Sequence, residues 1–339
     1  MRAAFFLPLL LLAAPLAVGC DHGEHESSAA DVVIYTSIDE PVARQIIQAF
    51  EAESGYAVRV VTDTEATKSV GLAERLRAEQ DRPQADVWWG NEPFYTIGLA
   101  RDGVLAPYAS PAAADIPPHF KDSSDLWAGN GLRARVIAVS ADAGARIQSL
   151  EDLADPALRG RVAMARPTAG TTGSHVAALY VLWGQEKADA FFRALRNNEV
   201  TLVGSNSQSA QQVGAGNYWF GLTDNDDVAN AAAAGMTLSQ VIPDQEVDQP
   251  GTLTIPTTVG LVAGRPGNEA ARKLIDFLLS AETERRLAEA QFTAYSVRPV
   301  EGDLAIKSMK VDYAEVAQRL SAAIERATAL LEGREAPVD

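Results

Sequence analysis

Hydrophobic and polar positions follow two alternating periods along the chain. Residues 31–36 form a short run rich in β-branched side chains, and residues 41–53 place apolar side chains at the spacing of a helix with one buried face. The same order recurs downstream. Further strands are predicted at 56–61, 85–89, 134–140, 161–165, 200–203, 218–223 and 257–262, and further helices at 67–80, 172–185, 187–197, 207–214, 228–234, 269–279 and 313–331. This alternation predicts the α/β class, with a largely parallel sheet covered by helices.

The N-terminus carries a different pattern. Arg2 precedes an uninterrupted apolar and small-residue stretch that ends at Cys20, the only cysteine of the chain, and a polar acidic segment follows at once. The stretch is short for a transmembrane helix and is typical of an export signal. Residues 16–20 resemble a bacterial lipobox, so we predict a signal peptide over 1–20, lipidation of Cys20 and a flexible tether over 21–30. Cleavage nearby, giving a soluble periplasmic protein, is the alternative; either way the protein is exported, facing the periplasm or the cell exterior.

Size and charge narrow the possibilities for the rest of the chain. The remaining residues, about 310, exceed what one growing core usually holds, so two lobes are expected. The formal net charge of -16 argues against binding of nucleic acid or of anionic membrane surfaces, and it concentrates cations near the protein. We therefore expect membrane contact only through the lipid anchor.

Polar side chains cluster where predicted strands end, at 36–39, 91–92, 171–172 and 223–227. Each cluster alone is also explained by turn or helix-cap chemistry. In open α/β sheets, however, ligands bind outside the carboxyl ends of the strands. Because the clusters come from both halves of the chain, they predict a ligand cleft between two lobes.

Several segments carry a family resemblance. They are residues 33–37, 76–79, 85–88, 131–137, 221–224, 255–259 and 273–278. Together they resemble the iron-type branch of the bacterial extracellular solute-binding proteins, close to the ferric-ion-binding proteins. The resemblance implies a two-lobe, type II-like periplasmic-binding-protein fold with the ligand cleft between the lobes. It also implies an ABC transporter permease and its ATPase as partners, and we expect the protein to be a monomer.

The resemblance also implies lobe boundaries and a ligand set. Lobe 1 is expected over 31–133 and 256–339, and lobe 2 over 134–255. The ferric site of the family combines a histidine or tyrosine after the first strand, a glutamate after the third and a tyrosine pair in the second lobe. The matching positions here are acidic, and the tyrosine pair is replaced. They are Asp39, Glu92, Asp226 and Asp227.

Oxygen ligands of this kind suit hard cations. The expected cargo is therefore a metal ion, iron, with a co-bound anion, and no catalytic cofactor is expected. Further ligand-binding candidates occupy the same strand ends or the start of the following helix. They are Tyr35, Ser37, Asn91, Thr171, Thr172 and Asp224.

Two other functions remain as alternatives. Carboxylates paired across a cleft could serve as general acid and base, but no nucleophile elbow, zinc-binding helix, phosphate loop or dinucleotide fingerprint is present, and we do not expect an enzyme. A small organic solute is the second alternative. An organic cation such as a polyamine or thiamine would use the acids, whereas a phosphonate or phosphorylated compound would require lysine or arginine in the cleft.

Overall fold

The structure is a computed structural model that describes residues 30–62, 69–168, 170–265, 267–298 and 306–337. The predicted signal peptide, the lipidation at Cys20 and the tether up to residue 29 lie outside the described residues. Among the helices that are described, none combines the length and apolar character needed to cross a membrane.

The described chain contains ten strands and nine α-helices, which alternate through most of the sequence. The strands are β1 (Val32–Thr36), β2 (Val58–Thr62), β3 (Val87–Gly90), β4 (Leu105–Ala106), β5 (Ala128–Ser140), β6 (Val162–Ala165), β7 (Thr201–Val203), β8 (Phe220–Asp224), β9 (Leu238–Val241) and β10 (Thr254–Val262). The helices are α1 (Glu40–Ser54), α2 (Val70–Ala78), α3 (Pro93–Arg101), α4 (Gly170–Asn197), α5 (Asn206–Gly214), α6 (Asn225–Ala233), α7 (Glu269–Leu278), α8 (Ala281–Glu289) and α9 (Tyr313–Glu332). The predicted α/β class is confirmed.

The strands form two groups, each with its own set of parallel strands. In the first, β2, β1 and β3 are parallel neighbours, and the late strand β10 pairs antiparallel with both β3 and β4. In the second, β7, β6 and β8 are parallel neighbours. The sheets are therefore parallel in part, and antiparallel strands join or flank the parallel sets.

Strand β5 connects the two groups because it is long enough to pair in both. Its first half, Ala128–Ala134, pairs antiparallel with β10, and its second half pairs antiparallel with β8 and β9. Separate apolar cores accompany the two groups of strands. The result is the two-lobe fold of the periplasmic binding proteins. The lobe boundaries at residues 133 and 255 remain a prediction.

Helix α4 shows how local sequence shapes this framework. The sequence predicts two helices, over 172–185 and 187–197, and the structure likewise has two helical stretches within α4, separated by a kink at Gly184, where φ is 74° and ψ is 167°. Glycine adopts this combination of positive φ and extended ψ without the steric penalty of a Cβ atom. Helix α9 packs along α4 and also contacts α3, so the C-terminal helix touches elements of both lobes.

Candidate functional site

A small polar cavity of about 50 Å³ lies where several helices begin. Its charged and polar lining includes Asp39, Asn91, Arg133, Arg166, Thr171, Thr172, Asn206, Ser207, Asp224, Asp226 and Asp227. A larger groove of about 1170 Å³ lies elsewhere, and its described lining contains no residue of the predicted ligand set. The small cavity is therefore the candidate site.

The cavity is built from loops that leave strands and enter helices. Asp39 precedes α1, Thr171 and Thr172 open α4, Asn206 opens α5, and Asp226 lies in the first turn of α6. Helix N-termini carry unpaired N–H groups and a partial positive charge, which favours acidic side chains and anions nearby. The geometry thus mixes negative side chains with positive helix ends.

Asp224 is the most fully hydrogen-bonded acid of the site. Its Oδ1 accepts from Arg135 Nη1 at 2.7 Å, and its Oδ2 accepts from Arg133 Nη1 at 3.2 Å and from the Thr171 hydroxyl at 2.5 Å. Burial opposes ionisation, but the two guanidinium groups and the Thr171 hydroxyl overcome it and hold the pKa of Asp224 below its usual value. Asp224 is therefore an ionised centre that organises the site, with little acceptor capacity left for a ligand.

Asp227 is likewise committed to bonds within the protein. Its Oδ1 accepts from the Ser207 hydroxyl at 2.7 Å, and its Oδ2 accepts from the Thr223 hydroxyl at 2.8 Å and from the backbone N–H of Asp224 at 3.3 Å. This last bond is half of the capping box that starts α6. In the structure, Asp227 therefore helps to cap the N-terminus of α6 and borders the cavity.

Asp226 differs from both neighbours. Its Oδ2 lies 3.5 Å from Arg133 Nη1, whereas its Oδ1 is buried and has no hydrogen-bond partner among the described residues. Burial raises the pKa of Asp226 well above its usual value, Arg133 opposes this effect, and the nearby Asp227 and Asp224 carboxylates add to it. Carboxylate oxygens of Asp224, Asp226 and Asp227 all lie within 4.8 Å of one another. The Oδ1 atom of Asp226 is thus the buried carboxylate oxygen of this cluster that has no hydrogen-bond partner among the described residues.

Two buried arginines, absent from the sequence-based ligand set, stand among these acids. Arg133 is 3 % exposed, and besides its contacts to Asp224 and Asp226 its Nη2 donates to the Asn91 carbonyl at 2.5 Å. Arg135 is fully buried, and its Nε donates to His175 Nδ1 at 3.3 Å. Burial and the adjacent Arg135 charge lower the pKa of His175 well below its usual value, so this imidazole is neutral.

A pattern in the sequence could have revealed these arginines. Arg133 and Arg135 are two apart on a strand, so both point to one face of it, and the strand residues next to them, Leu132, Ala134 and Val136, are apolar. Buried guanidinium groups require carboxylate partners. The alternation therefore predicts acids facing β5, although it does not say which ones.

The structure brings most of the predicted ligand residues together. Residues lining the cavity are Asp39, Asn91, Thr171, Thr172, Asp224, Asp226 and Asp227, and residues outside its lining are Tyr35, Ser37 and Glu92. Ser37 lies one contact away, since its hydroxyl donates to Asn91 Oδ1 at 3.2 Å. Tyr35 is buried and its hydroxyl donates to Glu79, with the Arg75 guanidinium over its ring. The structure thus places Tyr35 in the packing of the first lobe.

Glu92 is fully buried and serves as the N-cap of α3. Its Oε2 accepts from Phe94 N at 2.8 Å and from the Ser174 hydroxyl at 3.0 Å, and its Oε1 accepts from Tyr95 N at 2.9 Å. Burial raises the pKa of Glu92 to about 7, and these three hydrogen bonds moderate the effect. Both oxygens are directed at α3 and α4 in this structure, which gives Glu92 a capping and lobe-joining role.

Comparisons with known proteins agree with this fold. Residues 31–293 match the family described as bacterial extracellular solute-binding protein. An iron uptake protein A1 of a Synechocystis species is 28% identical over 281 residues, covering 77% of this chain and 74% of the relative. A putative 2-aminoethylphosphonate-binding periplasmic protein of Salmonella paratyphi A is 27% identical over 303 residues, covering 82% of this chain and 84% of the relative.

A solved ferric binding protein from Campylobacter jejuni superposes with a TM-score of 0.77 at 23% identity, covering 86% of this chain and 97% of that protein. At this identity the likeness shows the fold. The family match covers most of the described chain, and the fold is the one expected of that family. The chain belongs to the bacterial extracellular solute-binding proteins.

Proposed function

We propose that this protein is the substrate-binding lipoprotein of an ABC-type importer and that it captures a metal cation, iron, in the cavity between its lobes. The observation that carries the proposal is the buried Oδ1 atom of Asp226, a residue that lines the small cavity, because this atom has no hydrogen-bond partner among the described residues. A buried carboxylate oxygen without a donor is costly unless a ligand or water satisfies it. Iron uptake and ferric binding proteins among the relatives support the choice of iron.

The cavity offers ligands from both lobes. Asp39 follows a strand of the first lobe, and Asp226 follows a strand of the second. A cation bound by both carboxylates would stabilise the lobes in contact, which is how a ligand shifts such a protein toward its closed form. The volume of about 50 Å³ suits a cation with a few water molecules or a small anion.

The test is calorimetric titration of chelator-treated protein with iron and other hard cations, preceded by metal analysis of protein purified without chelator. Asp226→Asn keeps the shape of the side chain and removes its charge, and we expect it to weaken binding at least roughly 10-fold. Asp244→Asn is the matched control, because Asp244 is also a buried aspartate of the second lobe but does not line the cavity. Equal affinity of wild type and Asp226→Asn, or no cation binding by wild type, would contradict the proposal.

A second candidate ligand is a small solute that carries both an amine and a phosphonate group. It is favoured by Arg133 and Arg166 in the cavity lining and by the N-termini of α4 and α5, which suit an anion, while Asp39 and Asp226 suit the amine. The relative described as a putative 2-aminoethylphosphonate-binding protein also supports this candidate, because its sequence is similar to this chain over 303 residues. Titration with 2-aminoethylphosphonate, in the presence of chelator and without metal, distinguishes the two candidates. If the protein binds this solute and binds no cation, the solute replaces the metal as the proposed ligand.

A further inference from the structure

We propose that Arg135 and His175 are positioning residues for the ligand, because together they hold the two threonines at the start of α4 in their orientation in the cavity wall. This inference rests on the proposed function, since it assigns a role at the same cavity. Neither residue is among the described residues that line the cavity, and both are buried: Arg135 is fully buried and His175 is 2 % exposed. They therefore act on a ligand only through the residues that they hold.

One guanidinium group connects three structural elements. Arg135 projects from β5, and its Nη1 donates at 2.7 Å to Oδ1 of Asp224, the last residue of β8. Its other contacts are with α4: Nη1 lies 3.3 Å from the Thr171 hydroxyl oxygen, Nη2 lies 3.5 Å from that of Thr172, and Nε donates to His175 Nδ1 at 3.3 Å. These three residues share one face of α4, because residues three and four positions apart are neighbours on a helix. Arg135 thus holds the first turns of α4 and the end of β8 against β5.

The chemistry of these groups fixes the direction of the hydrogen bonds at the threonines. A guanidinium group only donates, and an ionised carboxylate only accepts. Thr171 therefore accepts from Arg135 and donates its hydrogen to Asp224 Oδ2 at 2.5 Å. Thr172 accepts from Arg135 in the same way and donates to Asn206 Oδ1 at 2.7 Å. The hydroxyl hydrogens of both threonines are thus committed within the protein.

Asn206 closes this network. Its Nδ2 donates to the Thr171 hydroxyl oxygen at 2.8 Å and lies 3.4 Å from Asp224 Oδ2. The amide nitrogen is the end that faces the carboxylate, because the amide oxygen has no hydrogen to donate to it, and Oδ1 is left to accept from Thr172. The two threonines therefore offer a ligand no hydroxyl hydrogen as long as Arg135 keeps its place.

His175 holds the remaining edge of the guanidinium group. Its Nδ1 carries a lone pair, because it faces a group that only donates, so the proton of the ring lies on Nε2. Without this acceptor the Nε–H group of Arg135 would be buried without a partner, and a movement of the guanidinium group would be the way to reduce that cost. Such a movement would displace Thr171 and Thr172. A site whose groups are already held in place binds more tightly, because the ligand does not have to order them.

The test compares His175→Leu with His175→Asn. The two new side chains have nearly the same size, and asparagine can place an acceptor near the position of Nδ1 whereas leucine cannot. Calorimetry of chelator-treated wild type with Fe³⁺ as its nitrilotriacetate complex, with anaerobic Fe²⁺ and with 2-aminoethylphosphonate identifies the ligand used for the variants. We expect His175→Leu to weaken binding roughly 10-fold, because a hydrogen bond to a charged group is lost, and His175→Asn to stay within about 3-fold of wild type.

A double-mutant cycle with Thr172→Val distinguishes positioning from a general loss of stability. If His175 acts through the threonines, the loss of affinity in the double variant His175→Leu/Thr172→Val is smaller than the product of the two single losses. Losses that simply multiply overturn the positioning role. Affinity of His175→Leu equal to that of wild type, or equal weakening by His175→Leu and His175→Asn, overturns the role of the hydrogen bond between His175 and Arg135.

Nitrogen-15 NMR of wild type tests the network without relying on a substitution at the hydrogen bond. At about pH 6 an exposed histidine is mostly charged, whereas we expect the His175 ring to be neutral with its proton on Nε2. A protonated Nδ1 overturns the inference even if His175→Leu does not fold. These outcomes leave the proposed function in place, whereas binding of none of the three ligands by wild type overturns the proposed function and this inference with it.

Discussion

The buried carboxyl group of Asp244 offers a direct test of the electrostatic reasoning, at a position away from the cavity. Asp244 is 5 % exposed, and its carboxylate accepts a long hydrogen bond, 3.4 Å, from the backbone N–H of Leu150. Burial raises its pKa to about 6, and the nearby Glu151 and Asp152 carboxylates add to the effect. One pKa unit corresponds to 1.36 kcal/mol, so a rise from 3.8 to about 6 costs at most about 3 kcal/mol of folding free energy when Asp244 is ionised, and less where solvent screens the charge.

The sign of the pH dependence follows from linkage. Between pH 3.8 and about 6 the folded state holds a proton that the unfolded state has released, so the free energy of unfolding falls as pH rises through this window. Asp244→Asn removes the charge and keeps the shape, and asparagine tolerates the φ of 62° at this position. We expect the variant to be more stable than wild type by up to about 3 kcal/mol at pH 8, or roughly 5 °C in melting temperature, and nearly equal to it at pH 4.

The measurement is urea or thermal unfolding of wild type and Asp244→Asn across pH 4 to 8, with Asp81→Asn as the control. Asp81 is exposed, and its substitution should change stability by less than about 0.5 kcal/mol at every pH. A destabilised Asp244→Asn at pH 8, or a difference that does not depend on pH, would show that this carboxylate gains more from its surroundings than it loses by burial.

Three further changes test separate parts of the structure. Glu92→Ala removes the N-cap of α3 and the hydrogen bond to Ser174. We expect the free energy of unfolding to fall by about 1–2 kcal/mol with little change in ligand affinity. A large loss of affinity would instead show that Glu92 is a ligand. Gly131→Ala should destabilise by about 2 kcal/mol in chemical denaturation, because φ is 61° and a Cβ atom would lie 2.8 Å from Thr293 Cγ2. Cys20→Ser should release the protein from membranes, or block its maturation, and leave ligand affinity unchanged; unaltered membrane fractionation would exclude the lipid anchor.

Much of the fold could be predicted because the periodic segments are long and consistent. The helix predicted over 41–53 is α1, and its periodic positions Ile46, Ile47 and Phe50 are buried as the pattern requires. Elements without such periodicity were missed. Helix α3 is buried on several sides, so its sequence has no polar face, whereas α8 is dominated by charged residues that pair with one another on the surface.

Strand β5 shows a second reason for failure. The sequence predicts a strand only from residue 134, whereas the structure begins it at Ala128. The added part contains Gly129, Asn130 and Gly131, which are poor strand formers. Its backbone nevertheless pairs with β10, and the Asn130 side chain donates to the Leu278 carbonyl. Pairing with β10 outweighs the local conformational preference of these residues. The hydrophobic periodicity of a single sequence does not reveal such pairing.

Prediction of the site had a related difficulty. Strand-end clusters located the cavity, since Asp39, Asn91, Thr171 and Asp226 all line it. Which acids face a ligand could not be predicted in the same way, because Glu92 and Asp227 differ from Asp226 only in how neighbouring backbone and hydroxyl groups satisfy them. Those partners come from other loops and helices, and they are fixed only when the chain is folded.

The same argument applies to the charge of the site. Arg133 and Arg135 lie about 90 residues from Asp224 in the sequence. Both contact Asp224 in the structure, where they lie on the 13-residue strand that joins the two lobes. A cluster of acids found in sequence overstates the negative charge of a buried site, because a buried carboxylate persists only with a partner and the partner is often a distant cation. For a cation-binding protein the relevant quantity is therefore the net charge of all groups that meet at the cavity.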